Sequence, residues 1–325
     1  MRRREFISLL GGAAAWPIAA RAQQPAMPVI GFLSPAAPDP NADYLRAFRG
    51  SLKESGYREG DTVAIEYRWA ENRMDRLPAL AADLVRRQVA LIVAAAQPPT
   101  FAAQAATTTI PVVFILSDDP VRLGLVASLA RPGGNLTGVN FLNVELTAKR
   151  LELLRDLVGG AVRIAVLINR ANRNAESVAR EADAAGRALG LQIQVHHAGT
   201  IGEIEATFAA FGRDRPDALF VGTDPFFHAR RPQLAELAAQ HRLPATYALR
   251  DYAQAGGLTS YGTSLNDAFR QVGDYCGRIL KGARPVDLPV VQSSKFELVI
   301  NLQSARKLGL VVAPSLLAVA DEVIE

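Results

Sequence analysis

Cysteine is almost absent: Cys276 is the single one in 325 residues. One thiol excludes an internal disulfide and a cysteine-built zinc cluster, so a chain of this size must be held by a hydrophobic core. Histidine is scarce as well, at four residues. His196 and His197 are neighbours in a run that reads as a strand, where adjacent side chains point to opposite faces and cannot share a metal. His228 and His241 lie 13 positions apart on or near one helical segment, and each reads as a surface or internally satisfied residue. No metal site is expected. The 25 glycines contain no pair spaced G-x-G, which excludes the dinucleotide fingerprint, and no glycine precedes a Lys-Ser/Thr step as in a P-loop. There is no G-x-S-x-G elbow, and Gly257-Leu258-Thr259-Ser260-Tyr261-Gly262 only approximates one. These absences disfavour an enzyme working through a nucleotide cofactor, a metal or an activated serine, and no cofactor is expected.

What charge there is sits unevenly. The formal net charge is +4, and Arg2, Arg3, Arg4 and Arg21 less Glu5 account for three of those charges. The rest of the chain is near neutral and has no dense Lys/Arg stripe, so a nucleic-acid partner is not expected. The basic cluster opens a segment ordered like an export signal: charge, an apolar stretch from Ser8 to Ala19, then Ala20-Arg21-Ala22 as a small-x-small cleavage site. The stretch falls short of the ~20 residues that span a bilayer. Arg3-Arg4 followed by Glu5-Phe6-Ile7 resembles the twin-arginine pattern, with a general secretory signal as the alternative. Residues 1–22 are therefore expected to be removed after Ala22, leaving a soluble periplasmic protein.

About 300 residues exceed what one core usually serves, so two lobes are expected. Pro28 to Leu33 is an apolar block ended by Ser34-Pro35, as in a buried parallel strand. Leu45, Phe48 and Leu52 then share one helix face, with Gly56 placed as a C′ residue. The cycle recurs: strands at 63–67, 90–94 and 112–115 alternate with helices at 77–87 and 101–107. A second series follows, with strands at 164–168, 193–195 and 218–221 and helices near 151–158 and 178–189. Ser34 to Gly56 and Ile168 to Gly190 are both 22 positions, so the halves look like copies of one design. Alternation at this pace gives an α/β chain of two doubly wound, Rossmann-like lobes with a cleft between them. The tail adds a short strand at 257–262, a helix from Asn266 to Leu280 and a strand at 296–300.

In such sheets the loops at the carboxyl ends of the strands form the ligand crevice. They are Ser34 to Pro40, Ala96 to Thr100, Ser117 to Pro120, Asn169 to Asn172 and Thr223 to Phe227, all rich in Ser, Thr, Asn, Asp, Gln and Pro. Turns and helix caps favour the same residues, so capping and ligand contact are both open at each position. Asp118-Asp119 is not a paired acid/base dyad, since loop neighbours diverge; acceptance from a ligand amino or hydroxyl group is the functional reading. Phe226, Phe227, Tyr247 and Tyr261 either wall an apolar ligand moiety or pack in the core.

Ile110-Pro111-Val112-Val113-Phe114, Asp119-Pro120-Val121 with Gly124-Leu125-Val126, Arg131 to Val139 (RPGGNLTGV), Thr223-Asp224-Pro225, Ala255-Gly256-Gly257-Leu258 with Ser260-Tyr261-Gly262, and Leu298 to Leu302 (LVINL) occur in that order. With them the chain resembles the periplasmic substrate-binding proteins of ABC importers, in the group related to tryptophan and aromatic-amino-acid binding components. The resemblance implies the type I periplasmic-binding-protein fold. Lobe one would comprise 28–140 plus 258–285 and lobe two 141–257 plus 286–325, joined by three crossings. It implies a monomer that closes by a hinge on a small carboxylate-bearing solute and delivers it to a permease coupled to an ATPase subunit. The contacts it implies are Ser34, Gln97, Asp119, Asn169, Thr223, Asp224 and Tyr261, with backbone donors of the helices after Pro98 or Asn172 holding the carboxylate. A periplasmic sensor signalling to a membrane receptor is the alternative on the same scaffold.

Overall fold

The computed structural model describes residues 27–38, 42–141 and 146–325. The export-signal reading of residues 1–22, and residues 39–40 of the first loop, lie outside the described residues. The first series runs β1 (Val29–Ser34), α1 (Ala42–Glu54), β2 (Ala64–Trp69), α2 (Leu77–Arg86), β3 (Leu91–Ala95), α3 (Gln97–Ala106), β4 (Val112–Leu116) and β5 (Leu136–Asn140). The second runs α4 (Thr147–Val158), β6 (Arg163–Ile168), α5 (Ala175–Leu189), β7 (Gln192–His197), α6 (Ile201–Phe211), β8 (Ala218–Val221), α7 (Pro225–Ala229), α8 (Arg231–Gln240), β9 (Ala245–Tyr247), α9 (Arg250–Gln254) and β10 (Thr259–Thr263). The tail adds α10 (Leu265–Leu280), β11 (Val291–Gln292), β12 (Phe296–Asn301), α11 (Leu302–Leu308), α12 (Pro314–Ala318) and β13 (Glu322–Ile324).

The two series do repeat. One sheet has the order β11-β5-β4-β3-β1-β2 and the other β13-β12-β10-β9-β8-β6-β7, so each contains the same 2-1-3-4-5 winding of parallel strands. Every residue of β3 and β4 is buried, as parallel strands covered by helices on both faces require. The matching glycines do the same job: Gly56 (φ 95°) and Gly190 (φ 72°) both follow helices in the left-handed region that lacks a Cβ penalty. After them Tyr57 N–H returns to Leu52 O at 3.0 Å and Leu191 N–H to Gly186 O at 2.8 Å.

The tail is shared differently from the expected partition. β10, expected with lobe one, pairs parallel with β9 and antiparallel with β12 in the second sheet. Residues 286–293, expected with lobe two, include β11, which pairs with β5 in the first sheet. The reason lies in α10: its face of Phe269, Val272, Cys276 and Ile279 is buried, and it packs along α1. Two glycines allow that approach. A Cβ on Gly273 would stand 2.5 Å from Phe48 O, and one on Gly277 would stand 2.3 Å from Ser55 Cβ. The chain thus passes between the sheets after β5, after β10 and after β11, and one apolar cluster runs from Phe32, Phe48 and Phe269 through Leu265 to Tyr252 and Phe227.

Candidate functional site

The carboxyl ends of β1, β3 and β4 face those of β6 and β8 across a cavity of about 460 Å³, within the ~300–1,000 Å³ typical of small-ligand sites. In each sheet the winding reverses between the first strand and the third, and the loops at that point supply the lining. Ser34, Gln97, Asn169, Thr223 and Asp224 all line the cavity.

Two of the expected contacts lie elsewhere. Asp119 is exposed, and its Oδ1 accepts from Val121 N at 2.8 Å and Arg122 N at 3.2 Å, closing a turn ahead of Pro120. Its neighbour Asp118 is 3% exposed and lines the cavity instead. Tyr261 lies on β10 with its ring 6.3 Å from that of Phe296, packed against the apolar cluster under the C-terminal helices and outside the cavity lining. Of the other aromatic candidates, Phe226 lines the cavity, whereas Phe227 and Tyr247 are wholly buried in the core. Tyr247 stacks on Tyr252 at 4.5 Å, and it is Tyr252 that reaches the cavity.

Asp224 is also more occupied than a ligand acceptor would be. Its Oδ1 caps α7 by accepting from Phe226 N (2.9 Å) and Phe227 N (3.1 Å) and also accepts from Asn169 Nδ2 (3.2 Å). Its Oδ2 accepts from Asn172 Nδ2 at 2.9 Å. Four donors hold this carboxylate, which fixes two lining loops relative to each other.

The helix starts expected to grip a carboxylate are poorly suited to it. In α3, Pro98 and Pro99 carry no N–H, so Gln97 is the only donor among the first three positions. At α5 the leading donors are already engaged, because Asn174 N–H donates to Asn172 Oδ1 at 3.0 Å and Ala175 N–H to Asn172 O at 3.0 Å. Ala96, just before α3, has φ 96° and ψ 170°, a conformation that is essentially glycine's and costs ~1–3 kcal/mol in other residues. Its N–H to Ile115 O (3.0 Å) and its carbonyl to Thr100 Oγ1 (2.8 Å) hold it there.

A cation and a histidine that local sequence did not mark complete the lining. Arg230 lies 3.8 Å over the Phe226 ring, and partial burial lowers its pKa against the pull of Asp224. His228 is on α7, lines the cavity and is driven by burial down to a pKa of about 4, so it is neutral. It is neither on the surface nor satisfied: Nε2 is 3.5 Å from Asp251 Oδ2, and Nδ1 has no hydrogen-bond partner among the described residues. Tyr44 faces the same Asp251 from α1, and burial and that charge raise its pKa. Beneath them Arg150, 1% exposed, donates to Val221 O at 2.7 Å and lies 3.9 Å over Phe220, pinning the end of β8. Among the described residues no cluster of His, Cys, Asp and Glu suits a metal, and no helix is long and apolar enough to cross a membrane.

A cavity between two matched switch points is the geometry of a ligand-binding cleft. The sequence profile described as ABC transporter substrate binding protein matches residues 35–324. The chain belongs to this family. As a substrate-binding protein it takes a small-molecule ligand and works with a transporter rather than catalysing a reaction. It is similar to the tyrosine-binding protein of Clostridioides difficile (strain R20291), 26% identical over 266 residues, or 82% of this chain and 76% of that protein. It is similar to a structure of an ABC domain in complex with L-Trp from Streptococcus pneumonia, with 26% identity, a TM-score of 0.84 and coverage of 91% and 99% of the two chains. A conserved domain protein from Vibrio cholerae has the same fold, with a TM-score of 0.85, 24% identity and coverage of 91% and 99%. The substrate-binding protein thus has the type I periplasmic-binding-protein fold and is related to aromatic-amino-acid binders.

Proposed function

We propose that this chain is the extracytoplasmic solute-binding component of an ABC importer, exported by its N-terminal signal, and that it carries an aromatic amino acid to a permease driven by an ATPase subunit. The observation that carries this reading is the makeup of the cavity. A buried acid, Asp118, lies on one lobe and a cation, Arg230, on the other, and Phe141, Phe226, Tyr252 and Phe269 line the same cavity. That set matches the ammonium, carboxylate and ring of a zwitterionic aromatic solute. Gln97 lines the same cavity from the start of α3. Ser34, Asn169 and Thr223 supply neutral polar contacts, and Asp224 keeps the second-lobe loops in place. The ligands in the names of the tyrosine-binding relative and of the L-Trp complex support the same class.

Transport requires the lobes to open and close. Arg122 reaches Ser177 across the cleft, and Arg173 lies 4.4 Å over Phe101 in the reverse direction, contacts that support a hinge whose lobes can be drawn together. The solute favours closure through the extra contacts it makes there. A thermal-shift screen of the mature protein against amino acids, aromatic acids, sugars and metal ions tests the reading. Aromatic amino acids at 100 times their Kd should add about 2.7 kcal/mol; stabilisation by sugars or metal ions alone would overturn it.

A further inference from the structure

We infer that Arg150 is a specificity-determining residue: a buried cation with no ion-pair partner among the described residues, it acts through the wall of the cavity to favour solutes that carry a carboxylate over the corresponding amines. This deepens the aromatic-amino-acid reading above and rests on it. Arg150 lies on the buried face of α4 and is 1% exposed. Its Nη2 donates to Val221 O at 2.7 Å and to Thr246 O at 3.4 Å, between β8 and β9. Val221 itself lines the cavity and leads into Gly222, Thr223 and Asp224, which line it too. The guanidinium therefore stands directly behind a lining residue without being part of the lining.

Its partners are two carbonyl oxygens and the Phe220 ring, 3.9 Å away, and its Nε has no partner among the described residues. Burial lowers its pKa only to about 9, so the group is charged at neutral pH. Tyr252, a lining residue whose phenol bears on it electrostatically, stays protonated because burial raises its pKa. Asp224, on the neighbouring loop, is taken up by Phe226 N, Phe227 N, Asn169 and Asn172. An unpaired buried charge is costly, and neutral carbonyls and a ring offset only part of that cost. An anion in the cavity offsets more, because buried charges interact strongly and are little screened by salt. Arg230 meets the carboxylate at the cavity surface, and Arg150 supplies a positive potential from behind the wall. An amine that lacks the carboxylate meets the same potential as repulsion, so one residue both attracts the amino acid and rejects its decarboxylated analogue.

Calorimetry of the native protein and of Arg150→Gln with L-tyrosine against tyramine, and with L-tryptophan against tryptamine, tests this. Each pair shares its ring and ammonium and differs in the carboxylate. Gln keeps an N–H donor without the charge, so the variant should bind both amino acids roughly ten-fold more weakly and both amines as tightly as before or more so. A merely structural role would weaken amino acids and amines together. That result, or unchanged amino-acid affinity in the variant, would overturn the role of Arg150 while leaving the solute class intact. If Arg150→Gln fails to fold, Arg150→Met takes its place, and a native protein that binds tyramine as tightly as tyrosine overturns the inference without any variant. Binding of neither amino acid would sink the solute class itself and this assignment with it.

Discussion

Asn172 and Asp224 are joined side chain to side chain, Nδ2 to Oδ2 at 2.9 Å, which makes the loop before α5 and the start of α7 one unit. Asn172 Nδ2 also donates to Thr223 O at 3.2 Å, so three lining residues share one set of bonds.

Asp224→Ala should accordingly act on stability as well as on binding. Loss of the α7 cap and of the partners of Asn169 and Asn172 should cost about 1–2 kcal/mol in urea unfolding. Weaker ligand binding should follow, because both asparagines are released into the cavity. Unchanged unfolding would refute the structural role.

Acid should weaken the fold through His228. Its pKa is about 4 in the native state against 6.5 ordinarily, so between those values the unfolded chain binds more protons. Stability is then complete above roughly pH 6.5 and falls as pH drops toward 4; lowering pH from 7 to 5 should cost about 2 kcal/mol. His196, edge-on to Phe211 and likewise lowered by burial, acts in the same direction but is common to both proteins. His228→Phe should therefore lose less stability than the native chain between pH 7 and 5, and equal losses would count against the buried neutral state.

Arg122 and Arg173 are expected to hold the lobes together without touching the solute. Replacing both by Ala should remove roughly 1–2 kcal/mol of closure energy, which appears as an off-rate about five to thirty times faster. Stopped-flow dissociation of bound solute measures it. An unaltered off-rate would mean that closure depends on the solute and the hinge alone.

Arg3→Lys with Arg4→Lys should block export if the twin-arginine route is used, leaving precursor in the cytoplasm of expressing cells. Normal export of that variant would assign the protein to the general secretory route.

Much of the architecture is legible because parallel strands buried on both faces must be apolar and their loops must be polar. Val112–Leu116 and Leu45/Phe48/Leu52 declare themselves this way. Ser34, Gln97, Asn169, Thr223 and Asp224 follow, since each lies at the carboxyl end of such a strand. Asp119 and Tyr261 misled for a local reason: an Asp before Pro and a Tyr in a glycine-flanked strand look alike whether they face a ligand, solvent or a packed cluster. His228 and Tyr252 lie on short helices with no strong periodicity, and Arg230 in the turn between α7 and α8. Their side chains become neighbours only when α7, α8 and α9 fold back over β8 and β9.

By itself the sequence determined the α/β class, the doubled winding, the crevice loops and the absence of cofactor motifs, because these depend on residue type and spacing along one segment. Tertiary structure decided which tail elements join which sheet, that Asp118 rather than Asp119 lines the cavity, that Asp224 is spent on Asn169, Asn172 and its own helix, and that His228 approaches Asp251 with Nε2 while its Nδ1 has no partner among the described residues. Each of these depends on contacts between residues far apart in the chain, or on the direction in which one side chain of an adjacent pair points, and no local pattern encodes either.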